Sequence, residues 1–369
     1  MSQDQGAAAG ILRRTVAALP PHRGPQIEED FAGVNAPLRR MSLNESSDPP
    51  SPKVIAAVQA AVAGANRYPD PKARALAAAI SDRTEIPISR IVFGNGSHEL
   101  IMLMGPAFME AGSRIVVPNP SFQPYQSAAK IAGAEVVVVP VDADGANDVD
   151  AMLAACAPPP RIVIAATPNN PTGALLSETA LKRLIAGVPA ATLLVLDEAY
   201  YEFGRLAGGP DVLKSLKARK GPWLVLRTFS KAYNLAGLRV GYGLASHDEI
   251  AEGIQRVRGV FNVNRLAQAA ALAALGDEPY VLASQKRTAA ERDRLAVGLK
   301  AMNLAPMPSA ANFVAVKTPK PAVEVVGALA KHGIMIVPVG GPPYENHIRI
   351  TIGTAADTDA VLAALKAVL

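Results

Sequence analysis

Seven short runs of apolar, mostly branched residues constrain the fold of this chain more than any other feature. They are Arg90-Ile-Val-Phe93, Arg114-Ile-Val-Val117, Glu135-Val-Val-Val-Val139, Arg161-Ile-Val-Ile164, Thr192-Leu-Leu-Val-Leu196, Trp223-Leu-Val-Leu226 and Arg239-Val-Gly-Tyr242. A strand with one wet face alternates apolar and polar residues, whereas a strand covered on both faces reads as an unbroken apolar run. Most of these runs are unbroken. Between them, Glu99–Glu110 and Ser177–Gly187 have helical apolar spacing. Lys53 to Ala63 follows Ser51-Pro52, where proline suits the first turn of a helix, and Lys72 to Thr84 reads as a second helix. The pattern predicts an α/β fold of three layers, a mainly parallel sheet with helices on both sides.

Beyond about residue 275 the texture changes. A long charged helix (Gln285–Met302) precedes a strand at Asn312–Val316, a helix at Ala322–His332, extended segments at Gly333–Val337 and His347–Ile352, and a terminal helix. The expected division is a large domain over 53–275 and a smaller α/β domain over 276–369. An N-terminal arm, 1–52, is expected to contribute to the small domain and to a dimer contact. Its first 30 or so residues, small, polar and proline-punctuated, are expected to be loosely ordered.

Composition excludes several classes. The chain has 369 residues, 50% hydrophobic, enough for a large core and more than one domain. Its formal charge is +5, but no Lys/Arg block forms the clustered footprint of a nucleic-acid binder. Cys156 is the single cysteine, so no disulfide can close within the chain. Arg13-Arg14 resembles the start of a twin-arginine signal, but no sustained apolar segment follows. No run of apolar residues is long enough to span a membrane. A cytoplasmic protein without nucleic-acid or membrane partners is expected.

The chemistry-bearing residues cluster where the predicted strands end. Lys231 follows Trp223-Leu-Val-Leu226, with Thr228 and Ser230 just before it and Arg239 eight residues after. A lysine amine can form a Schiff base with a carbonyl cofactor, and hydroxyls with an arginine suit the oxygens of a phosphate. Gly94-Asn-Gly-Ser-His-Glu99 leaves a strand and opens a helix, with Ser97 a candidate N-cap. Backbone N–H groups of Ser97 and His98 can then face an anion; the His98 side chain reads as a solvent-facing first-turn residue. Asn119-Pro-Ser-Phe-Gln-Pro-Tyr125 offers Phe122, either a stacking surface for a flat ring or a core aromatic. Thr167-Pro-Asn-Asn-Pro-Thr-Gly173 turns sharply at two prolines and presents an asparagine amide. Asp197-Glu-Ala-Tyr200 puts a carboxylate at the end of a buried strand, which is costly without a partner such as a protonated pyridine nitrogen. In an open α/β sheet the carboxyl ends of the strands are where ligands gather.

Taken together, Gly94–Glu99, Pro168-Asn-Asn-Pro-Thr-Gly173, Asp197-Glu-Ala-Tyr200 and Ser230-Lys-Ala-Tyr-Asn-Leu-Ala-Gly-Leu-Arg239 resemble the fold-type I pyridoxal-phosphate aminotransferases. Within that family the chain resembles the histidinol-phosphate aminotransferase group, from about residue 42 onward. The resemblance implies a pyridoxal 5'-phosphate cofactor held covalently by Lys231, which would also shuttle the substrate α-proton. Asp197 would pair with the pyridine nitrogen, Asn170 and Tyr200 would bond the ring's phenolic oxygen, and Phe122 would stack on the ring. Ser97, His98, Thr228, Ser230 and Arg239 would hold the phosphate. Tyr68, in Arg67-Tyr-Pro-Asp70, would reach the phosphate of a neighbouring subunit, so a homodimer with shared sites is implied. Arg349 would bind the substrate carboxylate, and Asn312 matches a position near the substrate. The reaction implied moves an amino group from an amine donor to a 2-oxo acid such as 2-oxoglutarate.

Three departures from the group's pattern stand out. His98 replaces the usual aspartate, a change that a backbone contact survives. Asn44-Glu-Ser-Ser-Asp-Pro49 replaces an Asn-Glu-Asn-Pro-x-Gly loop. Val337 stands where histidinol-phosphate enzymes carry an arginine that contacts the substrate's phosphate, which makes an aromatic or other apolar amino acid a competing donor. A lyase or decarboxylase on the same fold would keep Lys231, Asp197 and Asn170, and carbon dioxide release would distinguish it. A non-catalytic regulator would bring a DNA-binding module, for which the sequence has no spare segment.

Overall fold

The computed structural model describes residues 10–21, 24, 31, 33–34 and 36–369. From the N-terminus these form α1 (Arg14–Ala17), β1 (Arg39–Arg40), α2 (Pro52–Val62) and α3 (Arg74–Thr84). The central sheet and its helices follow: β2 (Ile91–Gly94), α4 (Ser97–Phe108), β3 (Arg114–Asn119), α5 (Pro124–Ala132), β4 (Glu135–Pro140), α6 (Val149–Ala154) and β5 (Ile162–Ala166). Then come α7 (Glu178–Gly187), β6 (Leu193–Asp197), α8 (Tyr201–Leu206), α9 (Val212–Leu216), β7 (Trp223–Thr228), β8 (Gly241–Ala245), α10 (Asp248–Val257) and α11 (Arg265–Leu275). The chain ends with α12 (Glu278–Ala301), β9 (Phe313–Lys317), α13 (Ala322–Ala330), β10 (Ile334–Met335), β11 (Val337–Pro338), β12 (His347–Thr351) and α14 (Ala355–Val368).

The seven apolar runs assemble into one seven-stranded sheet in the order β2-β8-β7-β6-β5-β3-β4. Every pairing is parallel except those of β8, which runs antiparallel to β7 and β2. Successive residues of β5 show why the runs are unbroken. Ile162 and Ile164 pack into the core under α4, α5 and α10, while Val163 and Ala165 pack into the opposite core under α7 and α11. Both faces are dry, as the pattern requires.

A separate apolar core joins α12, α13, α14 and the three-stranded sheet β11-β12-β9. Met41 enters this core, and β1 pairs in parallel with β10, so the segment before α2 is built into the C-terminal unit. The extended segment expected at Gly333–Val337 splits into two strands that serve different sheets. The long helix begins earlier than its charged stretch implied. Asp277 precedes it, Pro279 occupies the first turn, and Arg83 of α3 grips Glu278 at 2.5 Å.

Much of the arm expected to be loose, including residues 1–9 and 25–30, lies outside the described residues. Part of it is ordered. Helix α1 docks on α5, where Thr15 donates to the Ile131 carbonyl at 3.3 Å. Among the described residues no helix is long and apolar enough to cross a membrane.

Candidate active site

One cavity of about 400 Å³ opens where the carboxyl ends of β5, β6 and β7 meet the start of α4, residues 43–45 and Arg349 of β12. Its wall includes Ser97, His98, Phe122, Asn170, Asp197, Tyr200, Thr228, Ser230, Lys231, Arg239 and Arg349. Three residues named from the sequence, Tyr68, Asn312 and Val337, do not line it.

The anion-binding end is built where β2 and β7 end and β8 begins. The N-cap of α4 is Gly96 (φ 77°), one residue earlier than expected, and Ser97 is the first helical residue. The left-handed φ favours glycine there, and a Cβ would lie 2.5 Å from Arg239 Nη2, so any larger residue would also push the guanidinium aside. Arg239 donates to Ser230 Oγ at 3.4 Å and to the Ala236 carbonyl at 2.9 Å, and Thr228 Oγ1 lies 3.0 Å from Ser230 Oγ. Among the described residues no carboxylate forms a salt bridge with Arg239. A guanidinium, two hydroxyls and the free N–H groups of a helix start make a cradle for a phosphate dianion. His98 sits beside it edge-on to Phe122, and burial, reinforced by the Arg239 charge, lowers its pKa and favours the neutral ring.

Lys231 faces this cradle from the loop after β7. Its amine donates to the Asn44 carbonyl at 2.9 Å and the Leu43 carbonyl at 3.2 Å. Burial, then the positive charges of Arg349 and Arg239, pull its pKa down to about 7, with Glu45 opposing. The neutral, nucleophilic amine is therefore well populated near physiological pH.

Asp197 ends β6 and is 4% exposed. Burial raises its pKa, while hydrogen bonds from the Tyr125 hydroxyl (2.7 Å) and the Ala199 N–H (2.8 Å) hold the carboxylate form against that cost. An anion so placed suits a protonated ring nitrogen. Tyr125 is a site residue that sequence reasoning missed. It reads as a core aromatic, and nothing in its spacing says that its hydroxyl finds a strand two places along the sheet.

The paired asparagines divide the work. Asn169 is fully buried and bonds Pro120, Thr172 and Ser121, which fixes the loop. Asn170 faces the cavity and accepts from Arg349 Nη1 at 2.7 Å. Arg349 also donates to the Ser42 carbonyl at 2.5 Å, and its buried Nε has no partner. Tyr200 crosses Phe313 edge-on at 5.3 Å, and burial lifts its pKa to about 12, so the hydroxyl keeps its proton.

Asn312 lies behind this wall. It is 1% exposed and donates to the Asn44 carbonyl at 3.0 Å, so any influence on the cavity passes through Asn44. Tyr68 is 78% exposed, stacked on Phe261 at 4.4 Å, outside the cavity of its own chain. Val337 lies directly across from Arg349 in the β11–β12 pairing.

A family model for aminotransferase class I and II matches residues 38–365. The chain belongs to that family. Within it, a histidinol-phosphate aminotransferase 2 of Caulobacter vibrioides is 40% identical over 91% of this chain and 88% of its own length. A second, from Methylococcus capsulatus, is 38% identical over 93% of both. The crystal structure of histidinol-phosphate aminotransferase from Sinorhizobium meliloti, in complex with pyridoxal-5'-phosphate, superposes with a TM-score of 0.89 at 32% identity, covering 97% of each chain.

Proposed function

We propose that this aminotransferase uses pyridoxal 5'-phosphate to move the amino group of a histidinol-phosphate-like donor to a 2-oxo acid such as 2-oxoglutarate. The observation that carries the reading is the convergence on one cavity of a neutral-poised lysine, a buried carboxylate and a carboxylate-free arginine cradle. The residues fit the cofactor on their own chemistry. The cradle matches its phosphate, Asp197 its ring nitrogen, Phe122 its flat face, and Tyr200 with Asn170 its phenolic oxygen. When bound, the cofactor supplies an aldehyde for the amino group and an electron-withdrawing ring beside the substrate α-carbon.

The protein's part is positioning and proton transfer. Lys231 would hold the cofactor's aldehyde, and its amine is placed to serve as the base that takes the substrate α-proton and returns it. Asp197 keeps the ring nitrogen charged. Arg349, its Nε unpartnered, offers a planar fork to a carboxylate or phosphate oxygen of the substrate. We place Tyr68 and the exposed residues beside it, Phe261 and Val260, at the contact of a homodimer; their exposure supports a surface that a second copy covers.

An aromatic amino acid is the second reading, favoured by Val337, which puts an apolar side chain beside Arg349. A donor screen with 2-oxoglutarate tests both, using histidinol phosphate, phenylalanine, tyrosine and alanine. The proposal expects histidinol phosphate to have the highest kcat/KM. A preference for phenylalanine or tyrosine replaces it with the second reading, and carbon dioxide release without transamination overturns both.

A further inference from the structure

Asn44 sits at a junction that neither the fold nor the site chemistry requires. It is 2% exposed and holds φ at 54°, a left-handed backbone that asparagine tolerates better than most residues. Its carbonyl accepts from Lys231 and from Asn312. Its backbone N–H donates to Thr351 Oγ1 at 2.9 Å, and Thr351 Oγ1 in turn bonds Asn44 Oδ1 at 3.0 Å. Its Nδ2 lies 2.8 Å from the Tyr200 hydroxyl.

The Thr351 hydroxyl accepts the Asn44 N–H and gives its own proton to Asn44 Oδ1. With the amide in that orientation its NH2 side, a pure donor, faces Tyr200. The Tyr200 oxygen must then accept, so its proton points elsewhere. Among the described residues no acceptor for that proton lies within hydrogen-bond range, and Tyr200 lines the cavity.

We propose that Thr351 and Asn44 form a relay from the small domain that forces the Tyr200 hydroxyl to donate into the cavity, which makes Asn44 a positioning residue for the cofactor's phenolic oxygen. The inference rests on the pyridoxal-phosphate reading above. An accepting group at position 44 reverses the last step, since a carboxylate draws the Tyr200 proton to itself. Removing the Thr351 hydroxyl frees the amide to present either end. The small domain thereby sets the hydrogen bonding of the large-domain site through one side chain, although β12 contributes no residue to the bond itself.

The test is a pH titration of the absorbance of bound pyridoxal phosphate in Asn44→Asp, Thr351→Val, Thr351→Ser and Tyr200→Phe holoenzymes, with each of the first two also combined with Tyr200→Phe. A donor on the phenolic oxygen stabilises its anion and lowers the basicity of the nitrogen conjugated to it. Tyr200→Phe should therefore raise the midpoint by about one pH unit, the order expected for one hydrogen bond to an ionised oxygen. Asn44→Asp and Thr351→Val should raise it too, Thr351→Ser should restore the wild-type midpoint, and neither substitution should add a shift in the Tyr200→Phe background. A shift that persists without the Tyr200 hydroxyl is a through-space charge effect and overturns the relay, as does an unmoved midpoint. Should Asn44→Asp fail to fold, the uncharged Thr351 pair decides alone. A wild-type protein that shows no lysine-dependent cofactor band overturns the functional reading as well, whereas a normal band with an unmoved midpoint overturns only the relay.

Discussion

The hydroxyl of Tyr125 donates to the carboxylate of Asp197 across 2.7 Å, joining the first turn of α5 to the last residue of β6. Both residues are buried, and this bond, with the one from the Ala199 N–H, opposes the rise in the Asp197 pKa that burial causes. Tyr125→Phe keeps the ring's packing and deletes the donor. A hydrogen bond to a charged group contributes about 1.5–3 kcal/mol, so kcat/KM should fall by roughly 10- to 100-fold. The sign of the pH effect follows from the bond's role. Losing it raises the Asp197 pKa further, so the acid limb of the rate profile should move to higher pH. A profile that superposes on wild type would mean the bond does not tune Asp197.

Lys231→Met should abolish transamination, because no other amine lines the cavity. The apoprotein offers a second reading of the same residue. Burial lowers the folded-state pKa to about 7 from 10.5. Between those values the unfolded chain binds more protons than the folded one, so this group makes stability rise with pH. At low pH the folded protein bears the full cost of a buried ammonium. Apo Lys231→Met should therefore melt above apo wild type at about pH 7, and the gap should close towards about pH 10. A gap constant with pH would assign the difference to packing alone.

The sequence made the sheet legible because two-sided burial leaves unbroken apolar runs, and the residues it singled out after those runs do gather at one cavity because they follow the strands directly. It left Tyr125 and Asn44 unread. Their roles depend on where a hydroxyl or an amide points after strands far apart in sequence have packed, and no periodicity encodes that direction. Asn312 illustrates the reverse. The resemblance matches it to a position near the substrate, and in the fold its amide donates to the Asn44 carbonyl behind the cavity wall. Arg227 and Glu198 were hidden inside motifs whose other members carry the chemistry.

That pair is a structural liability if broken. Arg227 gives two hydrogen bonds to Glu198 Oε2 (2.7 and 2.9 Å), with 4% and 3% of the side chains exposed, and lies over the Tyr201 ring. Arg227→Leu strands a carboxylate in the interior and should cost about 3–5 kcal/mol of unfolding free energy by urea titration. Glu198 already has a raised pKa from burial, which Arg227 opposes. Without the arginine it rises further, so the folded state binds the extra proton and the deficit should grow from acid to neutral pH. Adding Glu198→Leu should recover most of the loss. A double variant as unstable as the single one would place the cost in packing around Tyr201 instead.

Arg349 lines the cavity and bonds Asn170 Oδ1 and the Ser42 carbonyl, and the proposed function assigns it to the substrate's anionic group. Arg349→Ala should raise KM for the amino donor by roughly 10- to 100-fold, the loss of a charge-assisted contact, with a smaller effect on kcat. Cofactor affinity should change little, since the phosphate cradle is built from other residues. An unchanged KM would put the substrate's anionic group elsewhere.

Val337 tests how the cavity chooses its donor. It stands directly opposite Arg349 in the antiparallel pairing, and directly opposed residues share one face of a sheet with Cβ atoms about 5 Å apart. Val337→Arg would set a second guanidinium beside the first, on the face from which Arg349 reaches Asn170. Like charges at that separation repel, but a dianionic phosphate between them outweighs the repulsion by bonding both. The ratio of kcat/KM for histidinol phosphate over phenylalanine should rise by roughly 10- to 100-fold, since one charged hydrogen bond is gained by the first donor only. If the ratio stays flat while both donors slow equally, position 337 lies outside the donor's reach and does not set the preference.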